Sequence, residues 1–328
     1  MSDLKGLEIS DIFGLSEPLT KLVETVSCGV GKLYEPTHIR RLAKAKAEEM
    51  KLISDTVTDN LNLPISYQNG EIGIDATDAN GLVQRAQNRF LFQQMKKQQN
   101  IEAVVANAAT ELDKTTVVSS TPVDEDWISS FFDFVANVSN EQMQILWGKV
   151  LAGEIEKPDS FSIRTLDVLR KMTQEDARCF ASIVPFVLKC PGDKDATYYD
   201  FFIPGNLGSN ERLLEKCGIT FPCIVRLDEA RLVSSNSMIS VGCKIQSGEN
   251  VLFEGPNTAV SIKNISSNEM EVYHSAYLLT AAGIELLSVV SPPQNASAPD
   301  WYLQKFVESL IGTNLESSTS KGLEISFI

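Results

Sequence analysis

The sequence predicts an α+β protein with helical N-terminal and central regions, long helices plus a small helical bundle, followed by a smaller α+β domain. Three observations carry this. Apolar residues recur at helical spacing in most of the first 188 residues, the period shortens to about 2 beyond Cys190, and breaker residues cluster between the periodic stretches. At 328 residues the chain also exceeds the about 250–300 at which single cores stop growing, so more than one folding unit is expected.

The first helix is expected over residues 17–33, where Leu19, Leu22, Val23, Val26 and Val30 share a face behind Ser16 and Pro18. A second, alanine-rich and basic, starts after Pro36 and runs to about Thr58. Residues 63–80 hold Pro64, Asn69-Gly70, Gly73 and an Asp75 to Gly81 run, which break any helix and leave room for a short strand pair at Ile65–Tyr67 and Glu71–Ile74. Helix resumes from Leu82 to Leu112. This long-helix region, residues 1–114 with its excursion at 63–80, is the first predicted domain.

Residues 122–189 form the second, a central helical bundle. Asp124-Glu125-Asp126 place acids on the first turn of a helix whose apolar face is Trp127, Ile128, Phe131, Phe132 and Val135. Ser139 and Gln142 have capping-box spacing for the next helix, with Met143, Leu146, Trp147, Val150 and Leu151 as its stripe and Gly153 as its stop. Ser160 to Met172 gives another helix, and Thr173 to Asp176 caps a further one reaching about Leu188.

Residues 190–290 are the third domain. Strands are expected at Tyr198–Ile203, Met238–Ile245, Val251–Glu254, Ala259–Ile262 and Met270–Tyr273, with short helices at Ser209–Cys217 and Thr280–Leu287. Short helices, strands and a Leu-Thr-x-x-Gly-x-x-Leu ending, Leu279 to Leu286, together suggest a winged-helix-like arrangement. Residues 291–328 comprise a linker and a C-terminal helix, Asp300 to Ile311, with Trp301, Phe306, Val307 and Leu310 on one face.

With 43% apolar and 22% charged residues the chain is an ordinary globular protein, not a disordered one. Six cysteines include no Cys-x-x-Cys pair, and only His38 and His274 are available to assist them, so no metal site is expected. The start of the chain shows no basic stretch ahead of an apolar core, and no apolar run approaches the about 20 residues of a membrane span, so a cytoplasmic location with reduced thiols is expected. No phosphate-loop spacing surrounds Gly29-Val30-Gly31-Lys32, and no nucleophile elbow or His-Glu-x-x-His pair occurs. Asp124, Glu125 and Asp126 read as cap and dipole residues, and Cys179, Cys190, Cys217 and Cys223 as core thiols. No catalytic residue and no cofactor is assigned.

The net charge of −14 opposes general nucleic-acid binding, but it is unevenly spread. Residues 98–157 carry three basic and ten acidic side chains, whereas Arg40, Arg41, Lys44 and Lys46 on one helix and Arg85, Arg89, Lys96 and Lys97 on another form candidate basic surfaces. Trp127, Phe131, Phe132 and Trp147 form a candidate hub or interface.

Three stretches carry a family resemblance. They are Leu22 to Ala45 through Gly29-Val30-Gly31-Lys32-Leu33-Tyr34-Glu35-Pro36; Pro122 to Glu154 through Asp126-Trp127, Phe131-Phe132 and Leu146-Trp147-Gly148-Lys149; and Pro158 to Leu166, joined much later by Leu278 to Gly283. Over about half the chain these resemble an uncharacterised bacterial family akin to the abortive-infection alpha group of anti-phage proteins. The resemblance implies a role in phage–host conflict and supplies no catalytic residues. The expected function is therefore that of a non-enzymatic interaction protein, a hub for self-association as a homo-oligomer or for binding a protein partner, with a phage-encoded trigger. A winged-helix nucleic-acid-binding regulator and a membrane-surface effector using the N-terminal helices are the alternatives.

Overall fold

The structure, a computed structural model, describes residues 16–30, 65–68, 71–74, 82–112, 117–189, 201–205, 213–234, 240–255, 259–292, 298, 301–302, 304–307 and 323–327. The basic helix expected after Pro36, with Arg40, Arg41, Lys44 and Lys46, lies outside the described residues. The described chain is mixed α+β and divides into two compact units, residues 1–166 and 167–328.

The first unit contains α1 (Glu17–Val30), the antiparallel pair β1 (Ile65–Gln68) and β2 (Glu71–Ile74), then α2 (Leu82–Leu112), α3 (Glu125–Val135) and α4 (Glu141–Glu156). Helix α1 forms because its apolar stripe has somewhere to go: Leu22, Val23 and Val26 are fully buried. Gly29 sits within α1 where a Cβ would come within 2.2 Å of the Phe132 ring and 2.7 Å of Ile128, so it permits close approach of α1 and α3. Asp124 caps α3 by accepting the Trp127 amide at 2.9 Å, which explains the acids at this helix start without any chemistry.

The core of this unit is aromatic. Trp127 stacks on Phe131 at 5.0 Å between centroids, Phe131 meets Phe132 edge-on at 5.3 Å, and Trp147 meets Phe131 edge-on at 5.4 Å. The Trp127 indole N–H donates to the Phe161 carbonyl at 2.7 Å. Two expectations at α4 need correcting. Asn140, not Ser139, caps the helix by accepting the Met143 amide at 3.1 Å, and the helix passes through Gly153 to Glu156 because Glu154 and Ile155 are both required inside.

Helix α5 (Ile163–Lys171) crosses the division between the units. In the second unit α6 (Gln174–Ile183) is capped where expected, and the cap is a reciprocal box: the Asp176 amide donates to the Thr173 hydroxyl at 3.2 Å and the Thr173 amide to the Asp176 carboxylate at 2.7 Å. It stops at Ile183, short of Leu188, since Pro185 permits only a single 3₁₀ turn, Val184–Phe186, before strand β3 (Leu188–Lys189).

The remaining strands are β4 (Phe201–Pro204), β5 (Val233–Ser234), β6 (Ser240–Ile245), β7 (Asn250–Glu254), β8 (Ala259–Asn264), β9 (Met270–Leu279) and β10 (Leu323–Phe327). With β3 they form an antiparallel sheet in the order β10-β8-β7-β3-β4-β9-β5, and β6 also pairs with β9. Strand β9 runs well past the expected Tyr273 because three strands use it: β6 along Met270–Ser275, β4 along Ala276–Leu278 and β5 along Leu278–Leu279. Helices α7 (Leu213–Lys216), α8 (Phe221–Glu229) and α9 (Ala281–Leu287) complete the unit, with helical turns at 301–302 and 304–307.

Phe202, Phe253 and Phe306 pack together, 5.3 to 6.2 Å between centroids. Tyr302 is fully buried with its hydroxyl donating to the Pro204 carbonyl at 3.1 Å, while Trp301, expected on the packing face, is 37% exposed. Asn264, also fully buried, ties two turns together: its amide donates to the carbonyls of Ile245 at 2.8 Å and Asn268 at 2.7 Å, and its oxygen accepts from the Ser266 amide at 2.9 Å.

Candidate interaction surface

The Leu-Thr-x-x-Gly-x-x-Leu motif is a strand-to-helix junction. Thr280 caps α9, its hydroxyl donating to the Arg231 carbonyl at 2.6 Å and accepting from the Gly283 amide at 3.1 Å. A Cβ on Gly283 would lie 2.2 Å from the Leu232 carbonyl oxygen, and Leu286 is fully buried. Arg231, at φ 59, terminates α8 in a left-handed turn, with the Arg231 amide donating to the Asp228 carbonyl and the Leu232 amide to that of Leu227, both at 2.9 Å.

Two buried acids have opposite electrostatics. Burial pushes the Glu154 carboxyl up, against the backbone amides of Asp159 at 2.8 Å and Phe161 at 3.0 Å, which pull it down. These bonds hold a loop in which Asp159 adopts φ 68. Nearby, the Lys21 amine donates to the carbonyls of Ser119 at 2.5 Å and Thr121 at 2.6 Å, and burial lowers its pKa despite the charges of Glu24 and Glu154. In the second unit burial would raise Asp176, but the Thr173 hydroxyl and amide and Arg226, at 3.3 Å, together hold its carboxyl below the usual range. The Cys223 thiol is pushed up to about 12, mainly by burial and also by Cys179 beside it, which fits an inert thiol. Among the described residues no group of three or more His, Cys, Asp or Glu is placed to hold a metal ion.

Trp127, Phe131, Phe132 and Trp147, the candidate hub, are all core, at most 5% exposed. The surface feature that stands out is α2. From Ile101 to Leu112 it is a core helix: Val104, Val105, Ala108 and Leu112 are buried, and Gly148 of α4 abuts it so closely that a Cβ there would lie 2.5 Å from the Asn107 Cβ. At the boundary Asn100 donates to the Ala136 carbonyl at 2.8 Å, and Gln144 to the Val138 carbonyl at 2.9 Å.

N-terminal to Asn100 one side of the same helix faces solvent, while Asn88 is buried and the helix also contacts β2. Arg85, Ala86, Arg89, Phe90, Gln93, Gln94, Lys96 and Lys97 are exposed, and no Asp or Glu occurs between residues 82 and 101. Phe90 is 60% exposed although it lies 18 residues, about five turns, from Ala108 and so on the same face that is buried further along. Among the described residues, Arg85, Arg89, Lys96 and Lys97 take part in no hydrogen bond or ion pair. Charge pattern singles out these four cations. That the helix outruns its core is not written in the pattern, because it depends on where α3 and α4 end.

Residues 84–303, more than half of the chain, match a family described as protein of unknown function (DUF2806). No curated protein and no solved structure matches the chain.

Proposed function

The chain belongs to the DUF2806 family, and we propose that it is a non-enzymatic interaction protein that works by self-association and partner binding in bacterial anti-phage defence. The observation that carries the binding role is Phe90, 60% exposed on the continuation of a core face. A helix that keeps its apolar register beyond the core presents a surface that a partner can cover. The defence role draws on the resemblance to abortive-infection alpha proteins, with a phage-encoded component as trigger.

The alternatives have less behind them. A winged-helix regulator would read nucleic acid through the C-terminal domain, yet α9 carries Glu285 and no cation. A membrane-surface effector would need the apolar face of α1, whose Leu22, Val23 and Val26 are already buried. No described helix is long and apolar enough to cross a membrane.

Light scattering of the full chain at micromolar concentration, before and after addition of bacterial lysate, tests the proposal. Concentration-dependent association, or capture of a partner, that weakens in Phe90→Ser is expected. A strict monomer under both conditions would contradict it.

A further inference from the structure

We infer that the projecting half of α2 binds the phosphate backbone of single-stranded nucleic acid. The inference rests on the reading of this chain as an interaction protein and names the partner of one of its surfaces. With about 3.6 residues per turn, Arg85, Arg89 and Lys96 fall within about 40° of one another around the helix, a cationic stripe along one side. Lys97 and Phe90, seven residues apart, fall within about 20° of each other on the adjoining flank, with Ala86 and Gln93 between the two rows. The surface thus combines cations in a row, the amide of Gln93, the small Ala86 between the rows, and the exposed ring of Phe90.

Each main part matches a demand of a single strand. Lysine and arginine side chains neutralise successive phosphates, and an exposed aromatic ring takes the face of a base without regard to sequence. The cations are available, since among the described residues nothing pairs with them, and no acid precedes Glu102 in α2. Two rival occupants fit less well. An anionic membrane favours a helix with a broad apolar face, and here, among the side chains described, Phe90 alone of the large apolar ones is exposed, with Leu91, Phe92 and Met95 half-buried. A second copy of the chain would bring the acids of residues 98–157 and the exposed Val117 and Ile145, but it offers no regularly spaced anions to match a row of cations. The net charge of −14 keeps the affinity modest, since it repels any polyanion outside the reach of the stripe.

The test is fluorescence anisotropy of the full chain with labelled oligothymidylate of about 20 nucleotides, at salt from about 50 to 200 mM. Binding at about 1–100 µM is expected, with a log–log salt slope of about −3 for four cations on a single strand. Arg85→Glu/Arg89→Glu should weaken it at least about tenfold, Arg85→Lys/Arg89→Lys should retain most of it, and Phe90→Ala should cost about tenfold through the lost stack. All these side chains are exposed, so thermal unfolding should not change. Absence of binding, or binding indifferent to the charge reversal, would overturn the inference. So would charge-dependent flotation on phosphatidylserine vesicles without oligonucleotide binding, which would name a membrane instead. Self-association that depends on Phe90 while oligothymidylate is ignored would remove the nucleic-acid partner and leave the interaction reading standing.

Discussion

The two halves of α2 are continuous in backbone and share an apolar register, yet they do different work. From Ile101 onward, alanines and valines are enclosed by neighbouring helices, and Asn100 marks the last point at which the helix is bonded to Ala136. Before it, the same face holds Phe90 in solvent, and the adjoining side holds cations without counter-ions among the described residues. Helical register alone therefore does not determine burial. The neighbours do, and a helix longer than its neighbours turns its surplus into surface.

The largest effect on this contrast is expected in the packing half. Leu112→Ala should cost about 2–5 kcal/mol, since Leu112 is fully buried and its loss leaves a cavity. Chemical denaturation followed by tryptophan fluorescence in a Trp301→Phe background, which leaves Trp127 and Trp147, reports on this unit, and an unchanged midpoint would show that the helix is not anchored there. Gly148→Ala should cost about 1–3 kcal/mol, because the added methyl meets Asn107 at 2.5 Å and the Ala108 backbone nitrogen at 3.0 Å. A neutral outcome would mean that α2 and α4 do not approach so closely.

A smaller effect comes from Glu154 on α4, beneath the same core. Its folded-state pKa is raised, so the folded unit binds the proton more tightly than the unfolded chain does. Its contribution to stability is therefore greatest below the ordinary glutamate value of about 4.3 and is lost as pH rises through the elevated folded value. One such proton changes stability by at most about 1.4 kcal/mol per pH unit, measured as the difference in pH profile between the protein and Glu154→Gln. A profile that falls with decreasing pH because of Glu154 would reverse the sign assigned here. Asp176, held low by Thr173 and Arg226, should act oppositely, with its contribution present above the ordinary aspartate value and lost as pH falls through the folded one. Smallest of all, Phe90→Ala in the projecting half should shift stability by no more than about 0.5 kcal/mol while weakening partner binding.

Much of this was legible in residue pattern. The ends of α2, the β1–β2 pair, the acid cap at Asp124 and the Thr173–Asp176 cap all follow from local rules, and the structure shows them. Where local rules compete the pattern does not decide: Ser139 and Asn140 are both good caps, and it is Asn140 that accepts the Met143 amide. Helix α8 is not among the elements expected from sequence; Pro222 sits in its first turn, where proline is well placed, and its end is marked by Arg231 rather than by glycine. Strands β5 and β10 were also missed, the first being two residues long and the second pairing with a β8 far away in sequence. Of the candidate surface, the four cations of α2 were found from charge alone. Their lack of partners among the described residues and the exposure of Phe90 are tertiary facts.

Hydrogen exchange of the full chain, alone and with oligothymidylate of about 20 nucleotides, tests the division of α2 most directly. Slow exchange at residues 101–112 is expected in both states, with added protection confined to residues 85–97 when the oligonucleotide is present. Equal protection of both halves in the free chain, or protection gained elsewhere while residues 85–97 stay unchanged, would contradict that division.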